Sequence, residues 1–165
     1  MKSDLLAALL LFVSLAAATA AEPGFKDYTN ARFGFKISYP ATLIAGRDPT
    51  NGGGREFHSK DKEFSLATSA HFLNGSTLDS MWEDELKELG DYITYKKKDK
   101  NWYVISGAKD GVEFYHKTHV QGGNFAEFHI TYPHAKARQY DPIVEKIAKS
   151  FVPFLKGEYD RAPAQ

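Results

Sequence analysis

The sequence predicts an α+β fold in which a twisted antiparallel sheet packs against two main helices. Short segments of alternating apolar and polar residues recur along the chain, as in half-buried strands. Most of them are joined by links of a few residues. Such links are too short to return the chain to a parallel neighbour, so the strands must pair antiparallel. Two other segments carry apolar residues at helical spacing.

The first predicted strand covers residues 33–39 and ends at Pro40, which cannot donate to a strand ladder. Its apolar residues alternate with Gly, Lys and Ser: Phe33, Phe35, Ile37 and Tyr39. A Gly-rich loop at residues 48–54 leads to two strands, 55–59 and 63–71, which we expect to pair across a short turn.

The first predicted helix begins at a capping box formed by Ser76 and Asp79, because Ser76 can accept a hydrogen bond from the backbone three residues on. Its apolar stripe consists of Leu78, Met81, Trp82, Leu86 and Leu89. Gly90 is a natural end for this helix.

Four strands are predicted to follow, at residues 92–97, 102–107, 112–120 and 125–132. Asp110-Gly111 is typical of a two-residue hairpin turn between two of them. The second helix is predicted to begin with Asp141 as its cap and Pro142 at its first position. Its buried side consists of Ile143, Val144, Ile147, Ala148 and Phe151.

The N-terminus has the three parts of a secretory signal peptide. Lys2 precedes an apolar run at residues 5–17, and Ala18-Thr19-Ala20 supplies small residues for cleavage before Ala21. The run is shorter than the roughly 20 residues that a membrane span needs. We therefore predict a signal peptide at residues 1–20, a single domain at residues 21–155, a flexible tail at residues 156–165, and a periplasmic or extracellular location.

Composition and motifs exclude several classes of function. The chain carries 21 basic and 21 acidic residues, and this balance gives no basis for nucleic-acid binding. No later segment is apolar enough for a transmembrane anchor. No cysteine is present, so packing must hold the domain together. We also predict a monomer. No nucleophile elbow, zinc-protease or nucleotide-binding motif occurs, and we interpret Ser106 and the Gly-rich residues 51–55 as structural.

Histidines in the last two predicted strands suggest a metal site. If residues 122–124 form a bulged three-residue loop, Val120 pairs with Ala126 and both lie on one apolar face. His119 then lies opposite Glu127, with His129 beside them and opposite Lys117. A different loop would slip the register by one residue and bring His116 against His129 instead.

The first register places His119, Glu127 and His129 together on an exposed sheet face. Two imidazoles and a carboxylate are a suitable ligand set for zinc or copper. The positive charge of Lys117 inside the group opposes metal binding. The alternative interpretation is a solvated polar face with an exposed His–Glu pair, which stabilises a fold by about 1 kcal/mol at most.

Several segments of the chain resemble a family of uncharacterised exported bacterial proteins. They are residues 28–40 (YTNARFGFKISYP), 51–54, 102–107 (WYVISG) and 140–151, in the same order. More distantly, residues 34–40 resemble the opening strand of the PsbP fold group, named after an extrinsic subunit of photosystem II. The resemblance implies a PsbP-like α/β sandwich and an accessory or binding role, and it carries no catalytic residues across.

We therefore predict an exported, non-catalytic envelope protein that acts as a binding or accessory module. Its partner would be an envelope protein or a small ligand. One alternative is a metal-binding protein that uses His119, Glu127 and His129. Another is a hydrolase whose site has no recognisable motif.

Overall fold

The computed structural model describes residues 24–47 and 49–155. The predicted signal peptide at residues 1–20, its cleavage before Ala21, and the predicted tail at residues 156–165 lie outside the described residues. The division of the chain into signal peptide, single domain and tail therefore stays a prediction.

Within the described residues, nine strands form two antiparallel sheets. A two-stranded hairpin consists of β1 (Phe25–Asn30) and β2 (Phe35–Pro40). The other seven strands are β3 (Ile44–Ala45), β4 (Gly54–His58), β5 (Ser65–Phe72), β6 (Ile93–Lys98), β7 (Trp102–Lys109), β8 (Val112–Gln121) and β9 (Asn124–Pro133). They form one sheet in the order β3-β4-β5-β9-β8-β7-β6.

Two α-helices cover opposite faces of the seven-stranded sheet, α1 (Leu78–Leu89) and α2 (Ala137–Ser150). Short 3₁₀ turns at Gly90–Tyr92 and His134–Lys136 adjoin them. Neither helix in the described part of the chain is long and apolar enough to cross a membrane. The α+β fold predicted from the sequence is confirmed, and the short links do produce antiparallel pairing.

The main core lies between the sheet and α2. Successive side chains of a strand point to opposite faces, so one side of β9 faces α2 with fully buried residues such as Phe128 and Ile130. Ile147 of α2 packs against them and is itself completely buried. Phe35 and Ile37 of the β1–β2 hairpin belong to the same cluster, so the hairpin closes this core.

A second, smaller core lies between the sheet and α1. Leu78 of α1 packs with Tyr103 and Ile105 of β7 and with Phe114 of β8. The rings of Trp82 and Tyr103 meet edge to face, with centroids 5.4 Å apart. Strands β7 and β8 therefore bury side chains on both faces.

The predicted start of α1 is wrong by one residue. Thr77, and not Ser76, is the N-cap: its hydroxyl accepts a hydrogen bond from the Ser80 amide, and the Ser80 hydroxyl accepts one from the Thr77 amide, both at 3.0 Å. This is a capping box with Ser in place of the usual Glu. The predicted apolar stripe and the end at Gly90 are confirmed.

The predicted start of α2 is also wrong. The helix begins at Ala137, without a side-chain cap, and Pro142 lies inside it. Asp141 instead accepts a hydrogen bond from the Tyr132 hydroxyl at 2.8 Å. Pro142 lies in the second turn of the helix, where its missing amide costs one backbone hydrogen bond.

Strand β1 has no counterpart among the predicted strands, because its apolar residues do not alternate. Phe25 and Tyr28 are three residues apart and are only partly buried. The strand predicted over residues 33–39 begins two residues later, at Phe35. Gly34, with a φ of 67°, belongs to the turn that joins the two strands.

Candidate functional site

The register of the β8–β9 hairpin determines which histidines share a face. Gly122 and Gly123 both have left-handed backbone angles, with φ of 58° and 80°. They form a two-residue turn that pairs Gln121 with Asn124. His116 therefore lies opposite His129, and the predicted register, which placed Lys117 there, is wrong. The one-residue alternative is the register that the structure has.

The predicted register failed because both faces of the sheet are covered. It assumed that Phe114 and Val120 share the apolar face of Ala126. In the structure Ala126 faces α2, whereas Phe114 and Val120 pack on the opposite side in the core below α1. A strand buried on both sides gives no single apolar face from which to deduce its register.

His119 is separated from the other two predicted metal ligands. It pairs with Ala126 on the α2 side, where its ring lies 5.8 Å from that of Phe151 and 6.1 Å from that of Trp102. Burial and, to a smaller extent, the charge of Lys117 lower the pKa of His119 to about 4. The structure therefore does not assemble the predicted set of His119, Glu127 and His129.

A different His/Glu cluster lies on the α1 side of the sheet. The rings of His116 and His129 stack with centroids 3.9 Å apart and an angle of 11° between their planes. Glu85 of α1 reaches down to them, and its Oε2 lies 3.1 Å from Nδ1 of His116. One potential ligand atom from each of the three residues lies within 4.8 Å of the others. We call Glu85, His116 and His129 the His/Glu cluster.

Glu127 flanks the cluster and is held by the neighbouring strands. Its carboxylate accepts hydrogen bonds from Ser69 Oγ at 2.7 Å and Thr118 Oγ1 at 3.2 Å. Its Oε2 lies 3.6 Å from Nε2 of His129. Burial acts to raise the pKa of Glu127, but His129, Ser69 and Thr118 together outweigh it and hold the pKa below its usual value.

His129 is the electrostatic centre of the cluster. Burial acts to lower its pKa, but the carboxylates of Glu127, Glu85 and Glu88 outweigh burial and raise the pKa above its usual value. Its Nε2 atom is buried and has no hydrogen-bond partner within the described ranges. Since buried polar atoms are normally paired, this nitrogen is one that a bound ion or water could satisfy.

Glu85 is the residue of the His/Glu cluster that the sequence did not suggest. It lies three residues after Trp82, and so falls within the apolar stripe of α1 at helical spacing. There it accepts a hydrogen bond from the buried Tyr103 hydroxyl at 2.7 Å. Burial and the Glu85 carboxylate raise the pKa of Tyr103, so the phenol remains a donor. A carboxylate inside an apolar stripe was the available signal.

A cleft of about 620 Å³ lies on the opposite face, between α2 and strands β7 and β8. Its walls include Ser106, Tyr115 and Lys117 from the sheet and Val144, Glu145 and Lys149 from the helix. The acidic residues at the cleft have partners: Asp141 binds the Tyr132 hydroxyl, Glu145 pairs with Lys149, and Glu113 contacts His134. Lys117 also lines the cleft, and its ammonium group lies over the Trp102 ring.

Aromatic and lysine side chains lie next to Lys117 on the same face of the sheet. The ammonium groups of Lys97 and Lys117 lie 5.7 Å and 5.8 Å from the centroid of the Trp102 ring. Tyr95, opposite Ser106 in the register, is 52% exposed. Burial lowers the pKa of Lys117 below its usual value. We call Tyr95, Lys97, Trp102 and Lys117 the Trp–Lys patch.

The comparisons with solved structures identify the fold. Cyanobacterial PsbP (CyanoP) from Synechocystis superposes with a TM-score of 0.60 at 12% identity, covering 86% of this chain and 99% of that one. The fold is PsbP-like. The yeast Ran-binding protein Mog1p, from Saccharomyces cerevisiae, follows with a TM-score of 0.50 at 10% identity, covering 79% of this chain and 95% of its own.

The PsbP-like fold predicted from residues 34–40 is therefore confirmed. No family model matches the chain. No curated protein matches it either. Membership of a family of uncharacterised exported bacterial proteins stays a prediction, and identities of 10–12% carry the fold alone.

Proposed function

We propose that this protein is an exported, non-catalytic accessory module that binds an acidic segment of a partner protein in the cleft beside α2. The observation that supports this is the Trp–Lys patch, which shares Lys117 with the lining of the cleft. It combines exposed aromatic surface with two ammonium groups over one indole ring. Aromatic side chains and lysines arranged in this way suit a carboxylate next to an apolar side chain.

The Trp–Lys patch is the part of this surface that favours an anion, because it carries the ammonium groups of Lys97 and Lys117, whereas the cleft itself is lined by three carboxylates as well as by lysines. Glu113, Asp141 and Glu145 each contact another residue of the domain. Burial lowers the pKa of Lys117. A half-buried ammonium is stabilised by an anion that replaces its lost hydration. The volume of about 620 Å³ is within the range of clefts that hold small ligands or a few peptide side chains.

The relatives in fold are compatible with a binding role. Mog1p is named as a Ran-binding protein, so this fold serves protein binding in at least one case. Binding requires no catalytic residues, and the sequence analysis identified none. Export rests on the N-terminal pattern of residues 1–20. N-terminal sequencing of the protein from the producing cells tests it: we expect a start near Ala21, and a start at Met1 would contradict export.

Site-specific photo-crosslinking tests the proposed binding surface. A photo-reactive amino acid at Tyr95 should capture a discrete partner in the envelope fraction. The same probe at Phe72 is the matched control, because Phe72 is an aromatic residue of similar exposure, 41%, on the far strand β5. It should not capture that partner.

The captured species must also depend on Lys117. We expect Lys117→Glu to abolish the cross-link and Lys60→Glu, an equal charge change in the exposed turn between β4 and β5, to leave it intact. Equal capture from Tyr95 and Phe72, or an undiminished cross-link in the Lys117→Glu variant, would contradict the proposal. If only a small carboxylate ligand is captured, the proposed protein partner is wrong and the occupant of the cleft is a metabolite.

A further inference from the structure

We propose that Glu85, His116 and His129 bind a divalent transition-metal ion of the zinc or copper type at the interface between α1 and the sheet. This site differs from the one that the sequence predicted, and it is independent of the cleft on the opposite face. Three elements supply it, since Glu85 comes from α1, His116 from β8 and His129 from β9.

The donor atoms are already gathered. One nitrogen or oxygen from each residue lies within 4.8 Å of the other two. Ligand atoms around a tetrahedral zinc ion are about 3.3 Å apart, given metal–ligand bonds of about 2.0–2.1 Å. An imidazole lone pair lies in the plane of its ring, so the stacked rings of His116 and His129 would rotate out of their parallel arrangement to close around an ion. Two imidazoles and one carboxylate are a known catalytic-type zinc set and leave a position open to solvent or substrate.

The surroundings favour a cation. Besides Glu85, the carboxylate of Glu127 lies beside His129, with its Oε2 atom 3.6 Å from Nε2. Lys117, the positive charge that opposed the site predicted from the sequence, pairs with Phe128 and therefore lies on the other face. The side chains of the cluster are partly exposed, 16% for His116 and 36% for His129, so an ion can enter.

Outer partners hold the ligands in place. Tyr103 donates to Oε1 of Glu85 and leaves Oε2 directed at His116. Glu127 is fixed by Ser69 and Thr118 beside His129. A carboxylate that orients a histidine ligand binds the ring nitrogen that the metal does not, and it raises the basicity of the ligand; Glu127, at Nε2, has this role when the ion takes Nδ1 of His129. The buried Nε2 of His129 has no hydrogen-bond partner among the described residues, and a small movement of Glu127, whose Oε2 is 3.6 Å away, would supply one.

Calorimetric titration of the purified full chain, stripped with a chelator, tests the site with zinc chloride and with copper sulfate. We expect one ion per chain. Glu85→Gln and His129→Gln should each weaken binding by more than about 100-fold, because each removes a ligand. Glu127→Gln should weaken it by about 10–100-fold, as is usual for outer partners.

His134→Gln is the matched control, since His134 also contacts a carboxylate, Glu113, but is 67% exposed and lies outside the cluster. It should bind like the wild type. Thermal unfolding of every variant without metal shows whether each one folds. As a second readout, cobalt(II) should give a ligand-field spectrum of a nitrogen- and oxygen-ligated ion that is lost in Glu85→Gln.

The proposal is overturned if the wild type binds neither metal, or if folded Glu85→Gln and His129→Gln variants bind as the wild type does. Its failure would leave the cleft untouched, because Lys117 and Trp102 lie on the opposite face. Conversely, a failed cross-link at Tyr95 would not affect the metal titration. The two proposals can therefore be refuted separately.

Discussion

His119 illustrates how the position of one residue changes its chemistry. The sequence analysis placed it on an exposed face as a metal ligand, whereas the structure packs it between Trp102 and Phe151. There it contributes a ring to the aromatic core. Its pKa of about 4 means that it remains neutral at pH 7 and resists protonation on mild acidification.

His119 should make the fold sensitive to acid. Its folded pKa, about 4, lies below the ordinary value of 6.5, so its contribution to stability is complete above pH 6.5 and is lost as pH falls towards 4. Between pH 7 and pH 5, the wild type should lose about 1 kcal/mol more unfolding free energy than His119→Phe, which keeps a ring but binds no proton. Urea unfolding at the two pH values measures this. The same loss in both proteins would contradict the assignment.

Gly54 is required by the close approach of two strands. A Cβ atom built there would lie 1.9 Å from the Thr68 carbonyl oxygen, which is backbone of β5 and can yield only if the strands separate. Gly54→Ala should therefore cost roughly 1–3 kcal/mol of unfolding free energy. Gly24→Ala is the control, since nothing lies within 4 Å of its Cβ, and it should change stability by less than about 0.5 kcal/mol. Equal effects on stability would show that β4 does not approach β5 as described.

At the scale of elements, α1 connects folding to the candidate metal site because it carries Glu85. The capping box of Thr77 and Ser80 fixes where this helix begins. The periodicity of its apolar residues predicted the helix and its end correctly. The cap was misassigned because Ser76 and Thr77 are adjacent and both can cap, and only backbone geometry distinguishes them.

Replacing the cap tests the start of α1. Thr77→Ala should lower the unfolding free energy by about 1 kcal/mol, since an amide of the first turn loses its acceptor. Ser76→Ala should change it by less than about 0.5 kcal/mol. Chemical denaturation of both variants measures the difference. A larger loss in Ser76→Ala would restore the cap predicted from the sequence.

The elements also show what local patterns could and could not predict. Asp110-Gly111 forms the expected turn, with φ of 51° and 79°, because this dipeptide tolerates left-handed angles. Start positions were less predictable where a tertiary contact decided them. Asp141 caps no helix, since its carboxylate binds Tyr132, a residue that no local pattern connects to it.

At the scale of the whole molecule, the seven-stranded sheet separates two different candidate sites, one on each face. One face carries the His/Glu cluster under α1, and the other carries the cleft and the Trp–Lys patch beside α2. The sequence analysis predicted the fold class, because antiparallel links and helical stripes are local features. The His/Glu cluster could not be predicted in this way. It depends on the packing of Glu85 of α1 against the sheet, and on which of two registers, one residue apart, β8 and β9 adopt.

Both proposed sites depend on the register of the β8–β9 hairpin, because it determines which side chains lie on each face of the sheet. Cross-strand nuclear Overhauser effects between the backbone protons of β8 and β9 test it most directly. We predict contacts that place His116 opposite His129 and His119 opposite Ala126. Contacts that place Lys117 opposite His129 would contradict this register. His119 would then lie opposite Glu127, and Lys117 would face away from the cleft.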